Sequence, residues 1–213
     1  MIQNYIFDFD GTLADTAGGI IKTMQETFKE HGLQTPSPDA IKHVIGLPLG
    51  KCMEGLGIGT TEKVDAMCAT YRRLFPEIAM NYVEIFPEVK DTLTALRNKG
   101  KVLAIATSRN EASLRMIMQR HGMDGYFEEI ISATDNLPSK PAPDMVLEIM
   151  KRLEMNEEET LVIGDTTYDI EMGNAAYCYT CAVTHGNHDR EKLSTADPNF
   201  IIDSFSDILN IKV

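Results

Sequence analysis

Six short stretches stand out as candidate β-strands: NYIFDF (4–9), VLAIAT (102–107), EEIISA (128–133), TLVIGD (160–165), TCAVTH (180–185) and NFIID (199–203). Two of them contain unbroken apolar runs, VLAIA and LVI, the pattern of strands covered on both faces of a parallel sheet. Between them the period changes. Glu88–Lys99 sets Val89, Leu93 and Leu96 on one helical stripe, and Asp144–Glu154 does so with Met145, Ile149 and Leu153, with Pro143 suitably placed at its start. Strands alternating with amphipathic helices predict an α/β protein with a doubly wound parallel sheet.

One stretch breaks the alternation. From Thr16 to Asn81 no strand pattern appears, and helical segments are separated by TPSP (35–38), GLPLG (46–50) and GLGIG (55–59). The expected organisation is therefore a core from residues 1–15 and 82–213, with an inserted helical domain, 16–81, over the carboxyl edge of the sheet. The sheet is expected to resume near Phe86–Pro87, with hinges at 13–17 and 79–84.

Charge sharpens this division. The chain carries a formal net charge of −12. The region 16–81 holds seven basic and seven acidic residues, so the whole excess belongs to the remainder. That field argues against nucleic acid or an anionic membrane as partner, and an anionic substrate would need a cation or local Lys/Arg. The start, MIQNYIFDFDG, lacks the pattern of a signal peptide, and no segment reaches ~18 apolar residues. The four cysteines lack framework spacing. Together these predict a cytoplasmic protein with reduced thiols.

The chemistry gathers at strand ends. Asp8 and Asp10, in FDFDGTLAD, are two apart and would share one side of an extended strand, roughly 6.5–7 Å from each other. Alone they also suit a strand-to-turn junction, with Asp10-Gly11-Thr12 as turn residues. Three other strand ends or helix starts carry Thr107-Ser108-Arg109-Asn110, Lys140 in PSKPAPD, and Asp165 with Asp169 in GDTTYD. A doubly wound sheet brings all of these to one edge. Carboxylates converging there require a cation, and an all-oxygen set suits Mg²⁺.

With DFDGT (8–12), the Thr107 strand end, SKPAPD around Lys140 and GDTTYD (164–169) in this order, the chain resembles the haloacid dehalogenase-like hydrolases over essentially its whole length. The match is to their phosphatase branch, with a Rossmann-like three-layer core and a helical cap after the first strand. The resemblance implies that Asp8 is the nucleophile that forms an aspartyl-phosphate, and that Asp10 is the general acid and then base. Mg²⁺ would be held by Asp8, the Asp10 backbone carbonyl, Asp165 and Asp169, the last directly or through water. Thr107 and the following amide would bind the phosphoryl group, and Lys140 would offset its charge. Gly11, Thr12, Ser108, Arg109 and Asn110 are further expected substrate contacts. The partner implied is a small phosphorylated metabolite.

Departures from the family pattern narrow the activity. Asp10 argues against dehalogenases and phosphonate-cleaving members, which lack a second acid. A β-phosphoglucomutase-like enzyme would carry a histidine at Ile20 and a phosphate-gripping cap arginine at Leu49, so hydrolysis is favoured over mutase action. GLPLG resembles the cap loop of phosphoglycolate phosphatases, although it also suits an ordinary helix connection. Pyrophosphate, nucleotides and sugar phosphates are alternative substrates, and a non-catalytic phosphate-binding protein is the alternative of a different class. Lys42, His43 and Lys51 read as solvated charges that would otherwise meet a substrate anion. Cys178 and Cys181 read as small buried residues, and His185 and His188 as a surface loop.

Overall fold

The computed structural model describes residues 1–213. Strand β1 (Asn4–Phe7) leads into a two-residue strand, β2 (Ala14–Asp15), and helix α1 (Ala17–Glu30). Helices α2 (Pro38–Lys42), α3 (Leu49–Gly55) and α4 (Thr61–Ile78) follow, then β3 (Glu84–Ile85) and α5 (Val89–Asn98). The remainder alternates: β4 (Val102–Ala106), α6 (Glu111–Arg120), β5 (Glu129–Ile131), α7 (Asp144–Arg152), β6 (Thr160–Gly164), α8 (Thr167–Ala175), β7 (Tyr179–Val183), α9 (Arg190–Ser194) and β8 (Phe200–Ile202).

The six long-spaced strands form one parallel sheet in the order β5-β4-β1-β6-β7-β8. Alternation along each strand divides the core in two. Phe7, Leu103, Ile105, Leu161 and Ile163 pack on one face against Val89, Leu93 and Ile117 of α5 and α6. Ile6, Ala104, Ala106 and Val162 pack on the other against Val146, Ile149 and Met172 of α7 and α8. Both faces are dry, which is why the strands read as unbroken apolar runs. From β1 the chain first builds outward through β4 to β5, then returns to β1's other side at β6. The switch point, where such sheets bind ligands, therefore lies at the carboxyl end of β1.

Helix α8 packs so closely that its Gly173 has no room for a side chain. A Cβ there would stand 2.6 Å from Thr180 Cγ2 and 2.9 Å from Val162 Cβ. Gly173→Ala is expected to lower stability by about 1–3 kcal/mol through overpacking. Thermal denaturation reads this as a drop of at least ~2 °C; an unchanged melting temperature would contradict so tight a contact.

The inserted helices form a layer of their own. Met24 and Phe28 of α1 and Met67, Tyr71 and Phe75 of α4 are buried in it. Two sequence expectations need correction. The main sheet resumes at Val102 rather than near Phe86–Pro87, because β3 pairs instead with β2 as a separate antiparallel ribbon, Ala14 opposite Ile85 and Asp15 opposite Glu84. Strands of two residues carry too little periodicity to be seen in sequence. The first strand also ends at Phe7 rather than Phe9. The chain turns there, with the Gly11 N–H donating to Ala14 and Leu13 N–H to Phe9.

Candidate active site

The turn after β1 separates the two leading acids. Both line one cleft, but they take different partners. Asp8, almost wholly buried, accepts a 2.6 Å hydrogen bond from Lys140 Nζ. Asp10 is forked by Arg109, whose Nε donates to both carboxylate oxygens at 3.0 and 2.8 Å. The expectation that the two acids share one side through strand alternation is therefore replaced by a turn that aims each at a separate cation.

Asp8, Asp165 and Asp169 offer ligand oxygens that all lie within 4.8 Å of one another, and all three residues are buried. The three come from the end of β1, the end of β6 and the first turn of α8. Asp169 is placed by a capping box: its Oδ2 accepts from the Thr166 N–H at 3.0 Å and hydroxyl at 2.7 Å. Its Oδ1 accepts from Lys140 Nζ at 2.6 Å. Asp165 accepts from the Thr12 hydroxyl at 3.0 Å and from the Asn187 N–H and side-chain amide at 2.7 and 2.8 Å.

Electrostatics follow from crowding three carboxylates around one ammonium. Burial pushes the Asp8 carboxyl well above the usual range; Lys140 pulls it down, while Asp169 and Asp165 push it up again. Burial, then Asp169, raises Asp165 to about 7 despite its hydrogen bonds. Burial opposes the charge on Lys140, yet Asp169 and Asp8 outweigh it and hold the ammonium protonated. Lys140 neutralises one of the three acids and leaves an excess negative charge out of contact with water. An all-oxygen, anionic, buried set of this kind fits a small hard divalent cation such as Mg²⁺. Space is reserved around it: a Cβ on Gly11, where φ is +88°, would fall 2.2 Å from Asp165 Oδ2.

The opposite wall of the cleft base comes from the Thr107–Asn110 loop, which opens α6. Thr107 is buried and its hydroxyl accepts from the Arg109 N–H at 3.1 Å. The Ser108 N–H has no partner within the protein, and its buried hydroxyl has none either. Asn110 caps the helix, its side-chain oxygen accepting from the Ala112 N–H at 3.0 Å. The first N–H groups of α6 are taken by Thr134 and Asn110, so the unpaired donors offered to an anion are those of Ser108, just ahead of the helix.

Most of the expected residues are brought together. Asp8, Asp10, Thr107, Ser108, Arg109 and Asn110 line the cleft. Gly11, Thr12, Lys140, Asp165 and Asp169 do not; the last four are buried behind it, where Thr12 and Lys140 spend their donors on the carboxylates. The cap reaches the site through Gly46, with φ +100°, where a Cβ would stand 3.1 Å from Thr166 Cγ2. Arg109 lies 4.6 Å from the ring centroid of Phe75 in α4, so the cation that holds Asp10 also stacks on the cap.

The reading of His185 and His188 as a surface loop is corrected. His185 packs tilted against Phe86, with centroids 4.3 Å apart, and makes a 3.1 Å hydrogen bond to the Thr12 carbonyl oxygen. His188 is buried and accepts from the Thr167 N–H at 3.0 Å. Burial, with Lys192 beside it, lowers its pKa to about 4, in keeping with that neutral acceptor role. Asn187, between them, was not foreseen, although its place just past a core strand was available as a signal. Cys178 and Cys181 are buried free thiols, and burial pushes both up to about 12.

Known proteins share this arrangement over its full length. The sequence pattern of haloacid dehalogenase-like hydrolases matches residues 5–183. A probable phosphatase, IndB, of Dickeya dadantii is 34% identical over 96% of this chain and 90% of its own. A phosphoglycolate phosphatase of Aquifex aeolicus is 30% identical over 97% and 94%. A Bacteroides fragilis protein, described from its crystal structure as haloacid dehalogenase-like, superposes with a TM-score of 0.93 at 28% identity, over 98% of this chain and 100% of that one. No helix here is long and apolar enough to cross a membrane. With its parallel core, helical insert and buried carboxylate cluster, the chain belongs to the haloacid dehalogenase-like hydrolase family, among its phosphatases.

Proposed function

We propose that this phosphatase hydrolyses phosphomonoesters through an aspartyl-phosphate on Asp8, with Mg²⁺ as cofactor. The observation that carries the reading is one of position: Asp8, with Asp165 and Asp169 buried behind it, and the unpaired Ser108 donors meet at the base of one cleft. A phosphoryl group seated between them has a nucleophile on one side and hydrogen-bond donors on the other.

Asp8, held in place by Lys140, attacks phosphorus; the bond to the ester oxygen breaks and Asp10 supplies the proton to the leaving alcohol. Asp10 then takes a proton from the water that attacks the aspartyl-phosphate. The phosphorus–Asp8 bond breaks, and phosphate leaves with Asp8 restored. Arg109 occupies both oxygens of Asp10. Each oxygen keeps a further lone pair, so Asp10 meets the leaving group while Arg109 stays in place and orients it. Thr107 and Ser108 hold the phosphoryl oxygens.

Asp8, the Asp10 carbonyl and Asp165 would hold the metal. Both oxygens of Asp169 are already engaged by Lys140 and Thr166, which favours contact through water. When bound, the ion supplies positive charge that screens the acids from the incoming phosphate and stabilises its transferring oxygens. The β2–β3 ribbon is the natural hinge for opening the cap, residues 16–81, over the core, 1–15 and 82–213.

Ile20 and Leu49 both line the cleft, so the two departures from the mutase pattern lie where they affect substrate. The name of the Aquifex relative and the GLPLG loop favour a phosphoglycolate-like ester; the lining of the cleft favours another alcohol, as set out below. Chelation tests the cofactor. EDTA-treated protein should lose p-nitrophenyl phosphate hydrolysis and regain it with added Mg²⁺. Turnover indifferent to chelation would contradict the metal site.

A further inference from the structure

The cleft is much larger than a phosphate, and most of its charge lies on one side. Its volume is about 560 Å³, within the range that accommodates drug-sized ligands. All the catalytic polarity lies at the core-side base. The cap-side wall is mainly hydrocarbon: Ile20 and Met24 from α1, Ile41 from α2, Leu49 at the start of α3, and Phe75 from α4, with Tyr71 and Arg72 of α4 as its polar members.

Arg72 of α4 is the single cap-side charge that reaches the cleft. Lys42, His43 and Lys51 do not line it, and Lys51 pairs outside with Glu54 at 2.8 Å. Arg109 is committed to Asp10 and stacked on Phe75. Arg72 itself is exposed to solvent. The one thiol in the wall, Cys52, is engaged with the carbonyl oxygens of Val44 and Leu47. Against the hydrocarbon stretch a carboxylate or second phosphate loses water and gains only the solvent-exposed Arg72 as counter-ion, and sugar hydroxyls find few partners beyond Tyr71. Hydrocarbon gains from the same surface.

We propose, resting on the phosphomonoesterase reading above, that the substrates are monoesters of uncharged, mainly hydrocarbon alcohols, alkyl or aryl. Leu49 and Phe75 are the contacts that select them. The phosphate binds at the base, the organic group lies along the cap wall, and it departs as a neutral alcohol.

The test is a homologous series of methyl, butyl, hexyl and octyl phosphate, compared under saturating Mg²⁺ with phosphoglycolate and pyrophosphate. Acetyl phosphate serves as the reference for phosphoryl transfer itself. The kcat/KM should rise by roughly threefold to fourfold for each methylene buried, from methyl to hexyl. Hexyl phosphate should exceed phosphoglycolate and pyrophosphate. A flat series, or one led by either anion, with acetyl phosphate still cleaved, would overturn the substrate class and leave the phosphatase intact. Failure on acetyl phosphate as well would overturn both. Leu49→Lys, which places an ammonium in the wall, should shift the ratio of phosphoglycolate to hexyl phosphate turnover roughly tenfold toward phosphoglycolate. An unchanged ratio would remove Leu49 from its selecting role.

Discussion

Asp8→Asn should give a folded protein whose phosphatase kcat is lower by roughly four orders of magnitude or more. The amide keeps the volume of the carboxylate and a carbonyl oxygen for Lys140, so the cavity is preserved. What it lacks is the nucleophilic oxygen, and no neighbour can supply one: Asp165 and Asp169 are tied by hydrogen bonds, and Asp10 is forked by Arg109. Lys140 retains Asp169 as a partner, so its charge is not stranded. The substitution also removes one of three crowded acids. Thermal stability without metal should therefore be unchanged or slightly higher, while turnover collapses. Near-normal turnover by a protein of unchanged melting temperature would rule out Asp8 as the attacking group.

Why Asp8 was visible in sequence and Arg109's grip was not has a physical basis. The core strands were legible because burial on both faces forces continuous apolar runs, and all six candidates appear in the sheet within two residues at either end. The acids were legible because they occupy strand ends, which the topology gathers at one edge. Pairing across that edge is another matter. Asp10 and Arg109 are 99 positions apart, and Asp165 and Asn187 are 22 apart. Their meeting depends on side-chain directions set by turns, not by periodicity. The turn at Gly11 redirects Asp10 away from Asp8, and strand alternation has no means of signalling it. His188 was misread for the same reason: a Gly-Asn pair looks exposed, yet here the loop folds inward and takes up the free Thr167 N–H of α8. The β2–β3 ribbon shows the lower limit of pattern reading, since two residues make no period.

Lys140 is where fold and chemistry are most tightly coupled. Lys140→Met should destabilise the metal-free protein by about 3–5 kcal/mol, because it strands buried carboxylates that lose their only ammonium. For a chain of this size that corresponds to a melting temperature lower by roughly 10 °C. The sign of the pH dependence distinguishes this cause from simple loss of packing. An acid whose folded pKa is raised contributes stability that is fully present below its unfolded value and is lost as pH rises through the folded one. In the native protein Asp165 is raised to about 7, with Asp8 raised as well. Metal-free protein should therefore lose stability between about pH 4 and pH 7. Without the lysine both acids rise further, and the deficit of Lys140→Met should be larger at pH 8 than at pH 5. Mg²⁺ replaces the missing positive charge, so added metal should restore part of the lost melting temperature, and more of it at the higher pH. Differential scanning calorimetry at pH 5 and 8, each with EDTA or excess Mg²⁺, reads all four conditions without any assay of turnover. A deficit equal at both pH values and insensitive to Mg²⁺ would mean that Lys140 acts as packing. A deficit growing toward acid would reverse the electrostatics assigned to the cluster.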